Sequence, residues 1–401
     1  MSKRSVFPWH SLCTAALVIF IGGCTSGPHV GPTPNTTNKT AQRIHRNLPT
    51  YANLARQSWS AIYPQRALPL KLGMRDPSIP MLRERLIKLG DLADSTAAKS
   101  QRFDHALTKA VKQFQWRHGL KPDGAIGSKT LRALNVPPTA RFQQLQASMK
   151  RWAKFPEKIG SRYIRVNVAS FNLDLIEDGH KIITMKVVAG KPTRPTPELY
   201  SKVKTIVVNP KWNIPRKIAR KDIIPKILQD PNYLADNNIS IYTSWKKDAY
   251  KVDPNDIDWQ KTHAEGFPYR FTQAPGDNNA LGRVKFVFLN KQDIYMHDTP
   301  QKGLFAKIQR AFSSGCIRLE KPYHLVEYFI QNSPDLTHEK VITKLESGET
   351  KYIKIRNPIP IYITYITAWV DKDGYTHFRE DVYKRVKKRQ RLAAGTKHHA
   401  Q

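Results

Sequence analysis

At 401 residues the chain is long enough for two or three compact units, and its 40% hydrophobic and 10% aromatic content excludes a chain too polar to build a core. Lys and Arg outnumber Asp and Glu by 66 to 32, a formal net charge of +34, which suggests an anionic partner, with a solvated surface tuned for solubility as the alternative. The basic residues are spread along the chain with no zinc spacing and no RNA-binding motif, so nucleic acid is disfavoured as that partner.

Residues 1–24 have the layout of an export signal: Lys3 and Arg4, an apolar run from Leu12 to Ile21, then Gly22-Gly23-Cys24. The run is too short for a permanent membrane-spanning helix, although a transmembrane anchor stays open as the alternative. Ile21-Gly22-Gly23-Cys24 resembles a bacterial lipobox, in which Cys24 becomes the lipidated first residue. The expectation is a periplasmic or cell-envelope protein, associated with the outer membrane if Cys24 is lipidated. Of the three cysteines, Cys13 lies in the signal and Cys24 at its end, which leaves Cys316 without a disulfide partner. An unpaired cysteine in an exported chain suggests a reactive thiol; a buried, inert one is the alternative.

Residues 25–72 read as a Pro/Gly/Thr/Asn-rich spacer followed by a short helical scaffold. In 75–136, Leu82, Leu86 and Leu89 share one helical face before Gly90. A second helix over Phe103–His118 stacks Leu107, Val111 and Phe114, and a third covers Ser128–Leu134. Another helix is expected over Pro138–Ala153. Alternation then takes over: Ile164, Val166 and Val168 against Tyr163, Arg165 and Asn167, with Asp178-Gly179 marking a hairpin. Further strands are expected over Val203–Val208, Val284–Leu289 and Ile294–His297. Between them, residues 215–280 interrupt the sheet with helix, aromatics and loops, a length that suggests a functional insertion. Ile359–Val370 and Tyr375–Phe378 flank Asp373-Gly374 as a final hairpin. A basic tail closes the chain over 383–401.

The chemistry concentrates in Tyr295-Met296-His297-Asp298-Thr299-Pro300 and in Arg310 to Arg318, which contains Ser313-Ser314-Gly315-Cys316. A cysteine is nucleophilic as thiolate, and an imidazole can take its proton. His297 closes a predicted strand and Cys316 follows a small-residue loop. Gly315 permits close backbone approach, and the amides around Ser314, Gly315 and Cys316 could form an oxyanion hole. Arg318 suits a substrate carboxylate or a structural ion pair. Tyr295, two residues before His297 on the same strand face, lines a pocket or packs a core. Asp298 points to the other face and is not expected to orient the imidazole. His263, His324 and His377 lack metal spacing, so neither metal nor cofactor is expected.

With these motifs in hand, residues 75–382 resemble the L,D-transpeptidase family. The segment AVKQFQWRHGLKPDGAIGSKTLRAL is similar to its three-helix peptidoglycan-binding module. H-D-T-P and A-F-S-S-G-C resemble the YkuD-type catalytic domain of the large scaffolded Gram-negative branch, as do N-P-x-W-x-x-P at 209–215 and YITYITAWVDKDGYTHFREDVY. Most members carry a histidine two residues before the cysteine; here that place is Ser314, as in the scaffolded branch. The resemblance implies a multidomain α+β protein, with a β-rich catalytic domain over 160–346 behind a helical peptidoglycan-binding domain over 75–136. A C-terminal hairpin over 350–382 would pack on the catalytic and scaffold parts, and 215–280 would cap the site. It implies Cys316 as nucleophile, His297 as base, peptidoglycan tetrapeptide stems as donor and acceptor, glycan strands held by 75–136, 3→3 crosslinks as product and carbapenem sensitivity. The same acyl-enzyme resolved by water or by a lipoprotein lysine would make a carboxypeptidase or an anchoring enzyme. A non-catalytic wall-binding protein is the alternative from another class; a papain-like protease lacks its local cysteine signature here.

Overall fold

The computed structural model describes residues 38–93, 99–153, 155, 159–261 and 268–386; Cys13, Cys24, His263, Phe267 and the tail beyond 386 lie outside the described residues. Helix α1 (Lys39–Leu54) starts where Asn38 caps it, the side chain accepting from the Thr40 and Ala41 N–H groups. Next come α2 (Ile79–Lys88), α3 (His105–Arg117) and α4 (Ser128–Leu134), which bury Leu82, Leu86, Leu107, Val111, Phe114 and Leu134 in a common core. Asp104 caps α3 through the Leu107 N–H (2.8 Å) and pairs with the buried Arg83 at 2.6 Å. Ile62 and Leu70 complete this core, and a bridge from Leu70 to Ile126 ties them in, so the packed module begins upstream of residue 75. Helix α5 (Pro138–Trp152) leads into the sheet.

Strands β1 (Arg162–Asn167), β2 (Asn172–Glu177), β3 (His180–Gly190) and β4 (Leu199–Val208) follow. Asp178 and Gly179 both take positive φ at the β2–β3 turn, the backbone that Asp-Gly favours in a two-residue hairpin. The expected insertion departs from its sequence reading, because it is a folded β unit. Strands β5 (Trp212–Ile214), β6 (Ile239–Tyr242), β7 (Lys251–Val252) and β8 (Arg270–Gln273) pair in the order β5-β8-β6-β7. They enclose a core of Ile214, Ile223, Ile224, Leu234, Ile241 and Phe271. These strands are two to four residues long, too short to show a period of two in sequence.

The main sheet is completed by β9 (Val284–Phe288), β10 (Met296–His297), β11 (Ala311–Ser313), β12 (Ile317–Leu319) and β13 (Lys351–Thr364). Its order is β11-β3-β12-β10-β9-β4-β13-β1-β2, and an added β2–β3 pairing closes the strands from β3 to β2 into a ring. Inward side chains fill the ring, with Leu325, Val326, Tyr328 and Phe329 of the helix Pro322–Gln331 among them.

The expected strand over Ile359–Val370 is in fact two. Strand β13 starts at Lys351 and lies between β4 and β1, so the catalytic sheet extends past residue 346 and residues 351–364 are no part of a terminal hairpin. Its register shifts between Lys354 and Ile359, the stretch that holds Pro358, and this explains why alternation failed there. After Thr364 the chain crosses out of the sheet, pinned by Asn167, which donates to Ile366 O and accepts from Ile366 N–H, each at 3.0 Å. The true hairpin, β14 (Ala368–Val370) with β15 (Thr376–Phe378), joins α1 and α5 in a third core of Ile44, Leu48, Leu145, Val370 and Phe378.

Candidate active site

Alternation along three neighbouring strands builds the site. Val284, Phe286 and Phe288 of β9, Met296 of β10 and Ile317 and Leu319 of β12 point into the ring core. Their sequence neighbours Lys285, His297, Cys316 and Arg318 therefore face outward, as does Tyr295 before Met296. Strand β10 sits between the other two, with His297 opposite Lys285 of β9 and Arg318 of β12. The Ile317 N–H donates to Tyr295 O at 3.0 Å, which sets Cys316 beside Tyr295. The turn into β10 is stapled by Asn290, whose side chain donates to Ile294 O (2.7 Å) and accepts from Ile294 N–H (2.9 Å).

His297 is 4% exposed, and its Nδ1 lies 2.5 Å from the backbone carbonyl of Asp298, a contact that calls for a proton on Nδ1. The Asp298 side chain turns elsewhere, to Lys302 Nζ (2.5 Å) and to the Arg283 N–H (3.1 Å). Residue 298 thus orients the imidazole through its carbonyl and not its carboxylate. Burial, then the positive charge of Arg318, push the His297 pKa down to about 3, so the ring is neutral at physiological pH.

The Cys316 loop is clamped from two sides. Ser313 Oγ donates to Cys316 O (2.5 Å) and accepts from the Gly315 N–H (3.1 Å). Thr196 Oγ1 donates to Gly315 O (2.7 Å) and accepts from the Gly190 N–H (2.9 Å). Gly315 has φ +126°, and a side chain there would come within 3.2 Å of Ile294 Cδ1, so the loop needs glycine. Because the Gly315 N–H is taken up by Ser313, it is not a spare donor, which corrects the expectation that it joins Ser314 and Cys316 in facing an oxyanion.

The half-buried thiol has the Asp293 carbonyl as partner, at 3.8 Å, and not the imidazole. Burial raises its pKa, while hydrogen bonding from Tyr295 and the charges of Lys285 and Arg318 pull it back. Burial, followed by the neighbouring thiolate, holds the Tyr295 hydroxyl well above the usual phenol range, and Trp212 of β5 hydrogen-bonds to it. Lys285 Nζ sits 3.8 Å from the centroid of the Tyr295 ring, and burial lowers its pKa. Arg318 donates from Nη1 to Gln301 Oε1 (2.5 Å), and its buried Nε has no partner among the described residues. Ser314, exposed on the loop, accepts from Arg194 Nη1 (2.8 Å), and Arg194 is itself paired with Asp222 of the insertion.

Residues 161–335 match the model of the L,D-transpeptidase catalytic domain (YkuD), and residues 75–134 match the "Putative peptidoglycan binding domain". The chain carries an L,D-transpeptidase catalytic domain. A "Putative L,D-transpeptidase" of Haemophilus influenzae is 39% identical over 220 residues, which are 55% of this chain and 44% of that protein, so the chain spans less than half of its relative. Among solved structures, an L,D-transpeptidase from Mycobacterium smegmatis is 13% identical (51% of this chain, 58% of that one, TM-score 0.25). One from Stackebrandtia nassauensis is 17% identical (65% of this chain, 91% of that one, TM-score 0.26).

Within this L,D-transpeptidase domain, the sequence-derived residues Tyr295, His297, Ser314, Gly315, Cys316 and Arg318 fall on one outer face or on the loop beside it. Lys285, Trp212, Arg194 and Thr196 were missed. Trp212 sits inside N-P-x-W-x-x-P, so a signal for it existed, whereas Lys285 becomes visible only once β9 is registered against β10.

Proposed function

We propose that the chain is a peptidoglycan L,D-transpeptidase that makes 3→3 crosslinks through a thioester on Cys316. The observation that carries this reading is the β9-β10-β12 register, which gathers a lone cysteine, a neutral histidine and two cations on one face of a matched catalytic domain. In the reaction, rotation of the Cys316 side chain away from Asp293 O brings the thiol to the imidazole, a tightening common on substrate binding. His297 Nε2 takes the thiol proton as sulfur attacks the carbonyl of stem residue three. The N–H groups of Ser314 and Cys316, which have no hydrogen-bond partner among the described residues, stabilise the oxyanion. On collapse the C–N bond breaks, and the imidazolium returns the proton to the departing D-Ala amine. The side-chain amine of a second stem then attacks the thioester carbonyl and loses its proton to His297, the C–S bond breaks, and the imidazolium returns the proton to the departing Cys316 thiolate.

Arg318, with a spare buried Nε, and Lys285 suit a substrate carboxylate near the nucleophile. The helical module would hold glycan strands, and a β-lactam of the carbapenem type would acylate the same sulfur. Residues 1–24 support export to the cell envelope, with Cys24 as the candidate lipid attachment point. Incubating the protein with disaccharide tetrapeptide and identifying products by mass tests the function. Crosslinked dimer is expected; tripeptide alone would assign a carboxypeptidase, and transfer only to a lipoprotein lysine an anchoring enzyme.

A further inference from the structure

Chain 216–227 of the insertion carries a charge pattern that neither folding nor the chemistry above requires. It is helical throughout, with a π turn at Ala219–Ile223 between α turns at Arg216–Ile218 and Ile224–Ile227. Ala219, Ile223, Ile224 and Ile227 are buried in the insertion core. Arg216, Lys217, Arg220 and Lys221 are all exposed, at spacings of one, four and five that keep them on one helical face. None of the four forms an ion pair among the described residues. The acid beside them, Asp222, is engaged by Arg194 and, at 3.9 Å, by Lys191. Four unneutralised cations in six residues repel one another, so a solvated structural face is a poor account of them. Their position adds a direction. Asp222 holds Arg194, and Arg194 donates to Ser314 Oγ, so the segment that carries the basic face is tethered to the nucleophile loop. π turns recur at functional sites because the extra residue redirects the side chains that follow.

We propose that Arg216, Lys217, Arg220 and Lys221 form a docking strip for the carboxylates of a peptidoglycan stem peptide, steering it to the Cys316 loop. This rests on the function proposed above and names the part of the molecule that gathers its acidic substrate. The strip contributes long-range attraction and affinity, not chemistry, so its effect is screened by salt.

Binding without turnover tests it. A fluorescent disaccharide tetrapeptide with free carboxylates is titrated into the Cys316→Ala protein. Affinity should fall about tenfold between about 0.02 M and about 0.3 M salt. With Arg216→Gln, Lys217→Gln, Arg220→Gln and Lys221→Gln added, binding at low salt should be about tenfold weaker and its salt dependence should shrink to the smaller part carried by Lys285 and Arg318. The pair Arg220→Gln and Lys221→Gln alone should fall between, a check that does not depend on the fourfold variant folding. Neutralising Lys202, Lys204, Lys340 and Lys354, four exposed cations elsewhere, changes net charge equally and should alter binding less than about twofold. Strip variants that bind like the parent, a control that weakens binding as much as the strip, or an amidated stem that binds as tightly as the free acid would each overturn the proposal. Because no bond is made in this assay, a failure of the strip is distinct from a failure of the transpeptidase reading.

Discussion

His297 is neutral because it is buried and faces Arg318, and that neutrality governs how the site responds to pH. An ordinary imidazole gains its proton near pH 6.5. Here the folded pKa is depressed to about 3, so the neutral ring persists as pH falls through 6 and 5, and its basicity is correspondingly low until substrate binding changes its surroundings. Nitrogen-15 NMR of the histidine rings should show no imidazolium at His297 between about pH 8 and about pH 5; a titration near 6.5 would contradict the burial argument. Tyr295 gives the second residue-scale prediction. Its hydroxyl lies between Trp212 and the thiol, so Tyr295→Phe should raise the Cys316 pKa and slow alkylation by iodoacetamide at neutral pH about tenfold. An unchanged rate-versus-pH curve would remove Tyr295 from thiol activation. At this scale the sequence was informative where chemistry is local. A lone cysteine after small residues and a histidine at a strand end are visible in a linear chain. Lys285 and Arg194 are not, because each acquires meaning only from a neighbour many residues away.

Among the elements, the Ser313–Cys316 loop and the insertion sheet hold the site's shape. Gly315→Ala places a Cβ at φ +126° against Ile294, which should destabilise the loop by about 1–3 kcal/mol. Thermal unfolding should move modestly while carbapenem acylation drops sharply; a full rate of acylation would show that the loop tolerates the shift. Phe271 is fully buried at the centre of the insertion core, and Phe271→Ala should remove about 3–5 kcal/mol there. Hydrogen exchange should then accelerate across β5 to β8 and leave β4, β9 and β13 protected. Equal acceleration in both sheets would mean that they unfold as one unit. The β1–β4 stretch was legible because its strands are long and alternate cleanly. Strands of the insertion were not, and β13 was misread because Pro358 and a register shift interrupt its period while Ile366 to Val370 imitate its continuation.

For the whole molecule, α1, α5 and the β14–β15 hairpin share one scaffold, and the helical module docks on that hairpin through Arg117, which a buried ion pair with Asp91 of the same module holds in place. Arg117 binds Asp91 through Nε at 2.6 Å and donates to Thr376 O of β15 at 3.2 Å, and Arg379 donates to Arg117 O at 2.9 Å. Asp91→Ala would leave the Arg117 charge buried and unpaired, a loss of about 3–5 kcal/mol. Limited proteolysis should then cut the module loose while the catalytic sheet stays intact; resistance equal to the parent would show that the apolar contacts alone suffice. This arrangement was out of reach for sequence reasoning, because it joins residues 91, 117 and 376 across most of the chain. The central claim, that Cys316 carries the acyl group, is tested most directly by trapping it. Wild-type protein quenched in acid during turnover of a tetrapeptide stem, then digested and mapped by mass, should show the acyl tripeptide on the Cys316 peptide alone, with free D-Ala released in at least that amount. Cys316→Ser should show neither, whereas the same adduct on another residue, or D-Ala release by Cys316→Ser at the wild-type rate, would contradict the account.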